Sequence, residues 1–200
     1  GACDVSVGNV TKAHFNTSIT AAAGGRAFPY WRPAGQPELG APAATAELAV
    51  IVHHGAGRNA DDYCRYMMNS VRRAGLGATT LVFAPQVYEA ADAGLDAARE
   101  LWWDASDDDG LDDARGARDW KWGGNSTAEL GASISAGSVR DELGGALAAA
   151  AAYPRLARVV VAGHSAGGQI AQRYALFSRL APPPFALEVV VANPSSVTYL

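Results

Sequence analysis

A serine flanked by glycines stands at Gly163-His164-Ser165-Ala166-Gly167, and this G-x-S-x-G spacing is one that can turn a hydroxyl into a nucleophile. Short Gly/Ser patterns recur by chance, so the context decides the value of the pentad. Here the apolar, β-branched run Arg158 to Ala162 leads straight into it, and a helical run from Gly167 to Leu180 leads straight out. A strand delivered into a helix through so short a turn is sharply bent, and flanking glycines let neighbouring backbone approach without a Cβ clash. The turn lifts the Ser165 hydroxyl off the sheet and aims the helix N-terminus at its oxygen. Acyl transfer through a covalent serine intermediate is the chemistry this suits. The bland alternative is a tight turn with a structural serine.

A second constellation, His54-Gly55-Ala56-Gly57, follows the apolar run Ala46 to His53. Acyl transfer builds negative charge on the former carbonyl oxygen, and two preorganised backbone N–H groups answer it, each worth roughly 3 to 4 kcal/mol. The natural donors are Ala166, the residue after the nucleophile, and Ala56 or Gly57. His53 and His54 fit loop-positioning roles better than that of a general base.

These residues need a frame, and the order of elements supplies one. After an irregular start, Ala27 to Trp31 is a plausible strand closed by Arg32-Pro33, and Ala34 to Pro42 is a Pro/Gly-rich connection. Ala46 to His53 has the look of a strand buried on both faces. Asp61 to Ala74 shows helical spacing, with Tyr63, Met67 and Val71 on one face. Thr79 to Ala84 is the next strand, and a polar segment from Tyr88 to Gly124 carries Trp102, Trp103, Trp120 and Trp122. Those indoles suit either a pocket wall or the packing of a thin loop. A helix over Ser138 to Tyr153, a strand over Arg158 to Ala162, the helix over Gly167 to Leu180 and a strand over Ala186 to Ala192 complete the series. Strands alternating with helices predict βαβ units and a parallel sheet covered on both faces.

Composition narrows the function classes. Two hundred residues and 20.7 kDa suffice for one domain with a real core, and 49% hydrophobic with 18% charged residues describes a globular chain of mean hydropathy −0.01. A net charge of −4 gives nucleic-acid binding no electrostatic footing. No apolar run approaches the roughly 18 residues of a membrane span. Cys3 and Cys64 are the only cysteines; they allow one disulfide, between themselves or to another chain. Asn9, Asn16 and Asn125 each open a glycosylation sequon, three of the six asparagines. Together with a start at Gly1-Ala2-Cys3 this predicts a secreted, glycosylated protein. Asp104 to Asp119 is strongly acidic, but with Ala105 at the first position of a calcium loop the twelfth is Gly116 rather than glutamate. No metal or cofactor is expected.

The strand-HG loop, the GHSAGG turn and the element order together resemble the α/β-hydrolase superfamily. The segments Gly55-Ala56-Gly57-Arg58-Asn59-Ala60-Asp61-Asp62-Tyr63, Trp120-Lys121-Trp122-Gly123-Gly124 and Val191-Ala192-Asn193-Pro194-Ser195-Ser196 are similar to a largely uncharacterised set of microbial and fungal members. The resemblance, over Glu47 to Leu200, implies a serine hydrolase fold with Ser165 as nucleophile and leaves the substrate open. In this fold the order is serine, acid, histidine. Here no histidine follows Ser165, the only later acid is Glu188 inside a strand, and Asn193 stands where some relatives carry the acid. The family also continues for two more strands.

The expectation is therefore an α/β fold: N-terminal strands and loops over 1–44, then the N-terminal portion of an α/β-hydrolase domain over 45–200. It would act on a small-molecule or polymer ester through Ser165. A C-terminal segment or second chain would complete the sheet beyond the apolar strand Ala186 to Ala192 and supply base and acid. The alternative is a hydrolase-fold glycoprotein without catalysis, binding or structural outside the cell.

Overall fold

The computed structural model describes residues 8–104 and 119–198. Its centre is one six-stranded sheet of order β1-β2-β4-β3-β5-β6, made of β1 (Val10–Phe15), β2 (Phe28–Pro33), β3 (Leu48–His53), β4 (Thr80–Pro85), β5 (Arg158–Ser165) and β6 (Ala186–Pro194). The first two strands pair antiparallel with each other and β2 runs antiparallel to β4, while β4, β3, β5 and β6 are mutually parallel. This is a mostly parallel sheet flanked by helices, the α/β fold class that the sequence predicts.

The parallel strands form because LAVIVH and RVVVA are β-branched and apolar on both faces, which suits a sheet covered on both sides. Successive residues serve opposite layers. Ile51 packs with Phe83, Val161 and Tyr174, whereas Val52 packs with Cys64, Val71 and Val82 beneath helix α1 (Ala60–Arg73). That helix carries Asp61 and Asp62 in its first turn and Arg72 and Arg73 in its last, charges that complement its dipole. Helices α2 (Ala136–Leu147) and α3 (Ala166–Phe177) lie on the other side with two 3₁₀ turns, Trp120–Trp122 and Ala128–Leu130.

The start of the chain and helix α2 differ most from expectation. The start read as irregular contains β1, whose single buried residue, Ala13, lies among polar Thr11, Lys12 and His14 and leaves no clear alternation. Helix α2 begins at Ala136, where the Ser135 side chain accepts from the Ser138 N–H, and stops at Leu147 rather than Tyr153. Its continuation is used elsewhere: the Ala152 carbonyl accepts from the Ala43 N–H at 2.8 Å, and the Tyr153 hydroxyl accepts from the Gly40 N–H at 2.6 Å. Strand β6 is the sheet edge among the described residues, with Val190 50% exposed.

Cys64 is a free thiol, buried in α1 beneath the sheet, where burial pushes its pKa up to about 12. Cys64 forms no disulfide among the described residues, and Cys3, the other candidate for a bridge, lies outside them. So does nearly all of the acidic segment weighed as a calcium loop, residues 105–118. No helix among the described residues is long and apolar enough to cross a membrane.

Candidate active site

Ser165 ends β5 and caps α3 with φ 58° and ψ −125°. A serine in this left-handed region is strained by a few kcal/mol at most, and the packing around it holds the strain. The ladder to β6 slips at this point, from His164 opposite Ala192 to Ser165 opposite Pro194. A Cβ on Gly163 would drive into the Gly167 carbonyl, and one on Gly167 into the His53 carbonyl; a Cβ on Gly168 would stand 2.6 Å from the Ala192 oxygen. Three glycines are therefore required for three separate backbone approaches, and the turn has no room to relax.

Beside it, Gly55, Ala56 and Gly57 line a cleft of about 610 Å³ together with Asn59, Tyr63, Tyr66, His164 and Ser165. A Cβ on Gly55 would lie 3.5 Å from that of Ser165, so the HG loop and the turn are in contact range. The four sequence-predicted site residues Ser165, Ala166, Ala56 and Gly57 thus meet at one end of the parallel strands. Ala166 is buried at the first position of α3, where backbone N–H groups have no partner within the helix.

The HG loop is held from below by side chains. His54 is buried, and its Nε2 accepts from the Val87 N–H at 3.0 Å. Nδ1 must then carry the proton and donates to the Gly55 carbonyl at 2.8 Å. Burial pushes the His54 pKa down to about 4, against the pull of that carbonyl. The ring is a neutral strut between the HG loop and the chain after β4, as a positioning residue should be. His53 is buried too, and desolvation holds its pKa well below the usual histidine range.

Arg58 adds a second brace. Its backbone has φ 52°, and its guanidinium grips both Asp92 oxygens, with Nε at 2.7 Å from Oδ2 and a terminal nitrogen at 2.8 Å from Oδ1. The other terminal nitrogen donates to the Ala56 carbonyl at 3.0 Å. Burial would raise the Asp92 pKa, but the hydrogen bonds from Arg58 and the Glu89 amide, with the Arg58 charge, hold it below the ordinary carboxylate range. Gln86 completes the frame: its amide donates to the Arg58 carbonyl at 2.7 Å and its oxygen accepts from the Ala60 N–H at 3.3 Å. The sequence did not single out Asp92, Gln86 or the two cleft tyrosines, because each lies far from the HG loop in sequence or reads as an ordinary helix face.

The other side of Ser165 is sparse. Its Oγ lies 3.2 Å from Ser195 Oγ, and the Ser195 N–H donates to the Ser165 carbonyl at 3.2 Å. His14, on β1, bonds Glu100 at 2.9 Å, and His53 and His54 are buried beneath the loop. His164 is exposed beside the serine, and Asn193, at φ 40°, is exposed at the end of β6. Among the described residues no group of three or more His, Cys, Asp or Glu gathers into a metal site.

The tryptophans divide between the two uses weighed for them. Trp103 is buried packing, its indole N–H donating to the Gly124 carbonyl at 2.9 Å. Trp120 is buried with its N–H on Glu89 at 3.0 Å and also walls a cavity with the exposed Trp122. The sequon asparagines Asn9, Asn16 and Asn125 are all exposed.

No protein-family model matches this chain, and no curated protein does. Among solved structures, it is similar to LpqC, a poly(3-hydroxybutyrate) depolymerase from Bordetella parapertussis, at TM-score 0.48 and 18% identity over 89% of this chain and 50% of that one. It is also similar to poly(aspartic acid) hydrolase-1 from Sphingomonas sp. KT-1, at TM-score 0.46 and 20% identity over 84% of this chain and 50% of that one. The chain spans about half the length of either structure.

Proposed function

We propose that this chain carries the nucleophile and oxyanion half of a serine hydrolase acting on carboxylic esters. One observation carries the reading: Ser165 is held at φ 58° on a strand-to-helix turn facing a braced HG loop. The Ser165 oxygen attacks the ester carbonyl and forms an acyl-enzyme as the alcohol leaves; water then attacks the acyl carbon and releases the acid. The N–H groups of Ala166 and of Ala56 or Gly57 receive the charge that develops on the carbonyl oxygen. Base and acid come from a C-terminal segment or second chain seated against β6, since Ser165 Oγ is hydrogen-bonded to Ser195 Oγ and to none of the described histidines. The protein is secreted, and the exposure of Asn9, Asn16 and Asn125 is what glycosylation there needs.

A fluorophosphonate probe tests this. In the protein together with the segment or chain that bears the base, the probe labels Ser165 and the Ser165→Ala variant takes none. The 200 residues alone label more slowly by about 10²- to 10⁴-fold, the usual worth of a general base. Fast labelling of the 200 residues alone, or none of the completed protein, overturns the reading and favours the non-catalytic glycoprotein. Endoglycosidase treatment of protein from its native source lowers the intact mass if the sequons are used; an unchanged mass refutes the secreted assignment.

A further inference from the structure

We infer that a second cavity, between α2 and α3 and away from Ser165, is a binding site for a monocarboxylate on an apolar or aromatic body. The cavity holds about 580 Å³, in the range of sites for drug-sized ligands. Trp120, Trp122, Ile170 and Phe177 form its apolar part, with Ser138 and Asp141 among the polar residues of the lining. Set into this lining are Arg140 and Arg173.

Arg140 is the telling residue. It is 6% exposed, yet its guanidinium meets no carboxylate among the described residues; a terminal nitrogen donates to the Ala136 carbonyl, and Nε has no partner. The nearest acid on its own helix, Asp141, is engaged by the Ser178 hydroxyl at 2.6 Å and the Arg179 N–H at 3.0 Å. A buried cation without an anion is costly, and proteins resolve it by pairing. The desolvation is strong enough to bring the Arg140 pKa down to about 10. Of the other cations in the lining, Lys121 pairs with Asp119 at 3.5 Å, Arg173 stacks on Trp122 at 4.2 Å while donating to Ser196 Oγ at 3.3 Å, and Arg179 has no ion pair among the described residues. The buried Arg140 guanidinium calls for an anion, which a carboxylate supplies in a planar form that matches the Arg fork. The small body of an ion such as phosphate would leave the indole and phenyl walls unfilled. Arg173, stacked on Trp122 at the same wall, is placed to reinforce the anion.

The test is calorimetric titration of the purified protein with benzoate, benzamide and inorganic phosphate. Benzoate binds at one site, benzamide at least tenfold more weakly because it lacks the charge, and phosphate more weakly than benzoate. Arg140→Gln, checked for folding by its thermal transition, weakens benzoate at least tenfold. Where that buried substitution prevents folding, Arg173→Gln in the partly exposed wall decides instead, with a several-fold loss expected. Ser165→Ala leaves benzoate affinity unchanged, which separates this site from the hydrolase reading. Equal binding of benzoate and benzamide, or unchanged affinity in both arginine variants, overturns the inference.

Discussion

The two flanks of Ser165 are built unequally. On the α1 side, the HG loop is fixed by His54, Gln86 and a two-pronged Arg58–Asp92 pair. On the β6 side, the serine oxygen meets Ser195 Oγ, and the strand beyond exposes Leu187, Val190 and Val191. On the proposed serine-hydrolase reading, the part of the site that would bind developing charge is preorganised independently of the part that would move the proton. Backbone N–H donors need only rigid loops, which one sheet and one helix provide locally. A base needs a side chain brought from another element, and here the flank that would receive it is open.

The sharpest way to break the contrast is at the turn itself. Gly163→Ala places a Cβ against the Gly167 carbonyl, where no side chain can swing aside; the expected loss is about 4 kcal/mol or more, the range of severe core disruptions. Urea denaturation measures it, and a loss under about 1 kcal/mol would show that the turn is softer than its geometry implies.

The braced flank should also be acid-sensitive. His54 titrates near 4 when folded and near 6.5 when unfolded, so between those values the unfolded chain binds the extra proton. Stability is then complete above about pH 6.5 and falls toward pH 4, by roughly 3 kcal/mol for this ring. Thermal midpoints across this range test it, and His54→Gln should flatten the slope. The Asp92 carboxyl, with its depressed folded pKa, contributes stability present above about pH 4 and lost below it. Asp92→Asn should cost about 1 to 2 kcal/mol and slow fluorophosphonate labelling of Ser165 in the completed protein, while a variant of the exposed Val190 leaves the low-pH limb unchanged.

A paired truncation measures the smallest effect. Val161→Ala on β5 removes buried methyls and should cost about 2 kcal/mol, whereas Val190→Ala on exposed β6 should stay within about 0.5 kcal/mol. Equal costs would mean that β6 is covered in solution.

The strands Leu48–His53 and Arg158–Ser165 were legible because β-branched runs on both faces have few other homes, and α1 because its charges and apolar spacing agree. Strand β1 was hidden by its polar alternates, and the end of α2 by bonds to residues 40–43 that no local pattern announces. In the site, Ser165, Ala166, Ala56 and Gly57 stood out because turns need particular glycines at particular offsets. Asp92 and Gln86 did not, since their roles exist only after residues some thirty positions apart are folded together.

By itself, the amino-acid sequence determined the alternation of strands and helices, the strained serine turn and the glycine loop, because each follows from steric rules acting over a few neighbouring residues. The tertiary structure alone decided that the turn and loop face one cleft, that His54 is a neutral strut, that Cys64 is a buried free thiol and that Arg140 is enclosed without an anion. Those depend on burial and on pairing across long stretches of chain, and desolvation and hydrogen-bond satisfaction are properties of the packed molecule rather than of any segment.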